Sequence, residues 1–205
     1  MPAPASEHAP SERTRARGFT LVELMTTVVI VGVLAVIAYA AYGKFITYSH
    51  TTEVNSVLSG IKNRQEAYKA ETGVYLNVSP TLAANQSTSG WSTALYPECA
   101  AGLSVPGIQK VAWPSGGCST GCCVPWQKLK VQTTAPTYYG FTTIAGSGGT
   151  PSAVVTIDGT AIAWPAATGP WFIATGVADT DGNGIFTTSV ISSFDNEVRV
   201  DQSSE

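Results

Sequence analysis

The chain has 205 residues and a formal net charge of -3, and only 12% of its residues are charged. This length suits one compact domain with an anchoring element, or at most two small domains. The charged fraction is about half the usual share in a soluble domain, which favours the polar but uncharged surface common in secreted proteins. The acidic balance argues against nucleic-acid binding, so we expect no nucleic-acid partner.

An apolar segment without charge occupies residues 24–43. It is about long enough to cross a bilayer as a helix. Arginines 13, 15 and 17 precede it, so the positive-inside tendency predicts a cytoplasmic N-terminus and export of everything after residue 43. A plain transmembrane anchor would explain the segment. A secretory signal peptide would also explain it, since Ala38-Tyr39-Ala40 offers a small-x-small cleavage site.

One carboxylate, Glu23, stands at the start of this apolar segment, and neither explanation requires it. A carboxylate buried in an apolar environment costs several kcal/mol unless it is paired, so Glu23 indicates a function.

The residues from Arg17 to Leu24 read RGFTLVEL. This run resembles the processing motif of type IV prepilins and of type II secretion pseudopilins. The resemblance implies that a prepilin peptidase cuts after Gly18 on the cytoplasmic side and N-methylates the new terminal residue, Phe19. Glu23, the fifth residue of the mature chain, matches the family's glutamate, for which the resemblance implies a role in assembly. Residues 1–18 would then be a cleaved leader peptide.

Beyond Gly43 the sequence becomes amphipathic, with apolar residues at the spacing of one helix face (Val54, Val57, Leu58, Ile61 and Tyr68). No proline occurs from Phe19 to Gly73, and Gly73 is a typical helix stop. The sequence therefore predicts one continuous helix over about residues 19–72. Its first half, 19–45, would span the membrane and mediate assembly, and its second half would pack the globular domain, 46–205. This continuation argues against a signal peptide, because cleavage near Ala40 would cut the helix in two.

Four cysteines, Cys99, Cys118, Cys122 and Cys123, lie in a region, 77–135, that is rich in Ser, Thr, Gly and Pro. We expect a long loop region stapled by two disulfides, as is usual in exported proteins. Buried free thiols or a zinc site are the alternatives, although both histidines lie far away in sequence. Adjacent cysteines rarely bond each other. Cys122 and Cys123 should therefore each reach back, and we favour Cys118–Cys122 with Cys99–Cys123.

Six strand-like runs follow, rich in β-branched and aromatic residues: 138–145, 153–157, 160–164, 171–178, 185–192 and 197–200. Their short connections predict an antiparallel β-meander over about 136–201. A long helix laid on such a sheet is an α+β arrangement, and it is also the pilin fold that the resemblance implies.

The run from Asp179 to Gly184 joins two of these strands and reads DTDGNG. Acidic or amide side chains at alternate positions match the first half of a calcium loop, with Asp179, Asp181 and Asn183 as candidate ligands. The twelfth position, which is Glu in a full EF-hand loop, is Val190. A plain hairpin turn is the alternative, since Asp-Gly and Asn-Gly favour positive φ.

No catalytic constellation is visible, so we expect no enzyme. The tryptophans could form a ligand surface, but core packing is the more ordinary role (Trp91, Trp113, Trp126, Trp164 and Trp171). The resemblance implies a pilin or minor pilin of a type IV pilus, serving adhesion, motility or DNA uptake. Its partners would be other copies or related pilins, the prepilin peptidase, the inner membrane and the pilus assembly platform. Before assembly it would lie in the inner membrane and afterwards in a surface filament. The alternatives are a type II secretion pseudopilin and a filament-tip adhesin on the same stem.

Overall fold

The computed structural model describes residues 18–82, 95–97, 110–113, 123–131, 133, 135–180 and 182–201. The chain divides into two compact units, with the boundary between Phe45 and Ile46. In chain order the elements are α1 Leu21–Thr72, α2 Cys123–Leu129, β1 Gly140–Gly149, β2 Thr156–Ile157, β3 Thr160–Ala161, β4 Ala167–Ala178, β5 Thr187–Ser192 and β6 Arg199–Val200.

Helix α1 ends where the sequence predicts. Thr72 is its last residue, and Gly73 adopts a left-handed conformation with φ of 83°. The Gly73 amide donates to the carbonyl of Lys69 over 2.7 Å, which satisfies one of the terminal carbonyls. A side chain at residue 73 would oppose this conformation, so the glycine itself sets the end of the helix.

The predicted apolar stripe of α1 is confirmed as the core face of the second half of the helix. Val54, Leu58 and Ile61 are fully buried, Val57 is nearly so, and Tyr68 packs at the edge of the same cluster. At Gly176 in β4 an added Cβ would lie 2.8 Å from a methyl of Val54. The helix therefore touches the backbone of the sheet at this point.

The main sheet has four antiparallel strands in the order β1-β4-β5-β6. Thr142 and Thr175 face each other across β1 and β4, and their buried hydroxyls are 2.8 Å apart. The α+β architecture of a long helix on an antiparallel sheet is thus confirmed. Of the six predicted runs, two form a separate hairpin, β2–β3, that is inserted between β1 and β4. The hairpin turns at Asp158 and Gly159, both with positive φ.

The predicted loop region also contains regular structure. Helix α2 lies inside this region. Trp126 and Leu129 are three residues apart, so a helical backbone places both side chains on one buried face. Pro125 occupies its first turn, where the missing amide hydrogen is tolerated. The Trp126 ring stacks on Tyr96 at 4.7 Å, and Tyr96 meets Trp113 edge to face. The core-packing interpretation therefore holds for Trp113 and Trp126.

Segments of the same region cover β1, which lies at the edge of the sheet. Ser79 exchanges hydrogen bonds with Thr143, and the Asn77 side chain accepts one from the amide of Ala145. Tyr96 forms an isolated bridge to Phe141. An open strand edge is a template for unwanted pairing, and these contacts cover part of it.

Only one of the four cysteines lies among the described residues. Cys99, Cys118 and Cys122 lie outside the described residues, as does Trp91, and Cys123 is the first residue of α2. The two disulfides and their pairing stay a prediction, which peptide mapping without reduction would test.

Candidate processing and assembly site

Helix α1 begins with a capping box built by Thr20 and Glu23. The Glu23 amide donates to the Thr20 hydroxyl over 3.2 Å, and the Thr20 amide donates to Glu23 Oε2 over 3.0 Å. The Thr20 hydroxyl also donates to Oε2, over 2.9 Å. This reciprocal arrangement satisfies amides that no earlier helical turn can pair. The Thr-x-x-Glu spacing of this box is readable in the sequence, although it was not among the predicted features.

The capping box leaves part of the Glu23 carboxylate available. Oε2 accepts both bonds from Thr20, whereas Oε1 accepts none from the described residues. The negative charge lies in the first turn, where the helix dipole favours it. Glu23 can therefore cap its own helix and still present an oxygen to a cation.

Gly18 and Phe19 precede the first helical residue, Leu21. The Phe19 side chain is 85% exposed. Exposed backbone outside regular structure is a preferred site of proteolytic cleavage. The structure thus places the predicted cleavage bond, the predicted methylation site and Glu23 within six consecutive residues.

The helix that follows is long and apolar enough to span a membrane from Leu21 to Tyr39. None of that stretch is buried, and its large apolar side chains all point outward. The hydroxyls of Thr26 and Thr27 donate back to helix carbonyls, to Val22 and Glu23 for the former and to Leu24 for the latter. These bonds satisfy the polar groups inside an apolar surface. An exposed apolar surface of this size marks a site of interaction with a membrane or with other protein surfaces.

The Asp179 loop folds around its own backbone. The buried Asp179 carboxylate accepts from the amides of Gly182, Asn183 and Gly184 at 2.8 to 3.1 Å. Asn183 Oδ1 accepts from the amide of Ile185. Asp181, the third candidate ligand, lies outside the described residues. Within the described part of the chain, no group of three His, Cys, Asp or Glu side chains could hold a metal ion. Calcium binding stays a prediction.

Comparisons with known proteins find similarity to type IV pilins and fimbrial proteins. Residues 13–39 match the family model of the prokaryotic N-terminal methylation motif. The chain is 38% identical over 73 residues to the type IV major alpha-pilin of Moraxella bovis, covering 36% of this chain and 43% of that pilin. It is 46% identical over 48 residues to the type IV major fimbrial protein FimA of Dichelobacter nodosus. This match covers 23% of this chain and 30% of FimA.

A third relative is the fimbrial protein EcpC of Eikenella corrodens, 37% identical over 59 residues that cover 29% of this chain and 39% of that protein. The chain thus spans less than half the length of these curated relatives. No solved structure matches it significantly.

Proposed function

We propose that this type IV pilin-like chain is a structural subunit, a pilin or minor pilin, of a type IV pilus-like filament. One observation carries the proposal. The methylation motif matched at residues 13–39 includes a helical segment, Leu21–Tyr39, whose apolar side chains are exposed. A membrane before assembly, and a bundle of such helices afterwards, would each cover that surface. The chain would accordingly move from the inner membrane to a filament at the cell surface.

Maturation would prepare the helix for this transfer. A prepilin peptidase would cut after Gly18 and methylate Phe19, which leaves an amine close to the start of α1. Glu23 of one subunit would then neutralise the Phe19 amine of its neighbour. Such a pair adds little net stability, because desolvation offsets the attraction. A wrong register, with each charge buried alone, would be penalised by about 3–5 kcal/mol. The pair would therefore set the stagger between subunits.

The partners would be other copies or related pilins, the prepilin peptidase and the assembly platform. We favour a pilus over a type II secretion filament because the similar proteins described above are pilins and fimbrial proteins. The role would be structural, with no enzymatic step, and the filament would serve adhesion, motility or DNA uptake.

Immunoelectron microscopy tests the proposal in a strain deleted for the gene and complemented with the wild-type chain. Antibodies raised against residues 46–205 should label long surface filaments in complemented cells and none in deleted cells. Loss of exoprotein secretion with no labelled filament outside the cell would support the secretion alternative. Antigen released only as soluble protein would contradict both.

A further inference from the structure

A cavity of about 390 Å³ lies in the globular unit between the β2–β3 hairpin and the end of the main sheet. We call it the hairpin cavity. Ile157 and Val190 contribute aliphatic surface, and Trp164 and Phe194 contribute two aromatic rings. Its polar lining includes Thr160, Asp195, Glu197 and Arg199. The volume suits one ring-sized molecule, at the lower end of ligand pockets.

Hydrogen bonds hold the indole ring of Trp164 and the backbone at Phe194. Trp164 Nε1 donates to the carbonyl of Ala153 over 2.7 Å, which fixes the indole ring. The amide of Phe194 donates to the Ser192 hydroxyl over 3.2 Å. The two ring centroids are 6.1 Å apart and the rings are inclined by 37°. Two flat apolar faces therefore meet at an angle in the wall of the cavity.

The charged side chains at the cavity include both hydrogen-bond donors and acceptors. Arg199 Nε donates to the Asp195 carboxylate over 3.1 Å, and these hydrogen bonds lower the pKa of Asp195 below its ordinary value. The exposed Glu197 carboxylate has no hydrogen-bond or salt-bridge partner among the described residues. Lys62 Nζ donates to the carbonyl of Asp195 and to Asn196 Oδ1, so a second cation lies beside the same loop. Asp195 is thus paired with Arg199, and Glu197 and Lys62 add one charge of each sign near the cavity, so the formal charges balance.

We propose that the hairpin cavity binds a neutral carbohydrate ring. The apolar C–H face of a sugar packs on aromatic rings, and its hydroxyls need donors and acceptors together. Arg199 supplies the donors, and Glu197 and the Thr160 hydroxyl supply acceptors. Arg199 is neutralised by Asp195, and the nearby Glu197 and Lys62 carry opposite charges. The surroundings of the cavity therefore carry no net formal charge that would favour an ion over a neutral ring.

Ligand-observed saturation-transfer NMR tests this on the full chain in a detergent without a sugar head group. The probes are N-acetylglucosamine, galactose and mannose, with N-acetyl-lysine amide as a cationic probe. At least one sugar should receive saturation from the protein, with a Kd in about the millimolar range. Glu197→Gln should weaken that binding at least about fivefold, which is about 1 kcal/mol. Trp164→Phe should reduce saturation of the sugar's C–H protons.

Glu71→Gln is the matched control, because Glu71 is an exposed carboxylate on α1 and does not line the cavity. Unchanged binding in this variant and loss in Glu197→Gln would locate the site. Binding of no sugar, equal binding in all variants, or stronger binding of the lysine probe would overturn the proposal. Glu197→Gln cells should still make filaments. If the wild-type protein binds the sugar but its cells make no filaments, the result would count against the proposed function alone.

Discussion

Glu23 makes two separable contributions at the start of α1. Its carboxylate closes the capping box with Thr20, and its charge would pair with a neighbouring subunit. Glutamine also completes a capping box, whereas alanine does not. The two contributions can therefore be separated by substitution at this one residue.

We predict that Glu23→Gln and Glu23→Ala both insert into the membrane and accumulate, yet both fail to join filaments efficiently, because each lacks the charge. Thr20→Ala removes the cap, which is worth about 1 kcal/mol of helix stability, and keeps the charge, so it should still assemble. The measurement is filament number and length by electron microscopy. Normal filaments in Glu23→Gln cells would show that capping alone matters.

His50 lies on α1 beyond the apolar segment and stacks on the Tyr138 ring at 4.7 Å. Its Nδ1 is buried without a hydrogen-bond partner among the described residues. Burial lowers the pKa of His50; the nearby Glu53 carboxylate opposes this shift and the Lys110 ammonium adds to it. His50 is also the only histidine after the predicted cleavage bond.

These facts predict a pH dependence of stability. The unfolded chain takes up a proton at the ordinary His pKa of about 6.5, and the folded chain does so only at lower pH. Between those two pKa values the unfolded state binds more protons, so the free energy of unfolding falls as the pH falls. Below the folded pKa this loss is complete. Thermal unfolding of wild type should show a Tm decrease from about pH 7 to 5 that is smaller in His50→Gln. Parallel Tm curves for the two proteins would refute the contribution of His50.

Asp179 also allows a stability test. Its carboxylate accepts three backbone amides, so Asp179→Ala should lower the free energy of unfolding by about 1–3 kcal/mol, with or without calcium. The calcium proposal adds a separate expectation, a Kd of about 10⁻⁴–10⁻³ M in titration calorimetry. Heat at millimolar calcium that disappears in Asp179→Ala would support the metal. If millimolar calcium releases no heat, the loop is a plain hairpin turn without a bound metal.

At the scale of elements, the close contact between α1 and β4 depends on Gly176, which has no side chain. A Cβ at Gly176 would lie 2.8 Å from Val54 and 2.9 Å from the Phe141 ring. Gly176→Ala should therefore lower the free energy of unfolding by about 1–3 kcal/mol through overpacking. Gly169→Ala is the matched control on the same strand, because an added Cβ there meets no heavy atom within 4 Å. Equal Tm values for the two variants would contradict this account of the interface.

The elements with local signals were predictable from the sequence, and those with distant partners were not. The spacing of Val54, Leu58 and Ile61 identifies a helix face, and Gly73 identifies its end. By contrast, the side-chain amide of the fully buried Gln65 bonds to both the backbone N–H and the carbonyl of Leu76. No periodic pattern in the sequence predicts that contact. Helix α2 was missed because seven residues are too few to establish a period.

At the scale of the whole molecule, the two units meet different physical demands. The globular unit buries its apolar residues in its own core, whereas the segment from Leu21 to Tyr39 buries none. The motif and the apolar helix were predictable because both are continuous in sequence. The hairpin cavity was not predictable from the sequence, because Trp164, Phe194 and Arg199 come together only after the sheet and the hairpin have formed.

The mature chain should begin at N-methylated Phe19. Removal of residues 1–18 takes away two acidic and three basic residues, so the formal charge changes from -3 to -4. Cleavage on the cytoplasmic side leaves the apolar helix attached to the globular unit, which a signal peptidase would not do. Mass spectrometry of the N-terminal peptide from purified membranes should find Phe19 with one added methyl group. Gly18→Leu should leave the chain uncleaved in the membrane, whereas Gly32→Leu, which replaces a glycine within the apolar helix, should be processed normally. A mature start at Ala41 would instead identify a secretory signal peptide and would refute the proposed filament subunit.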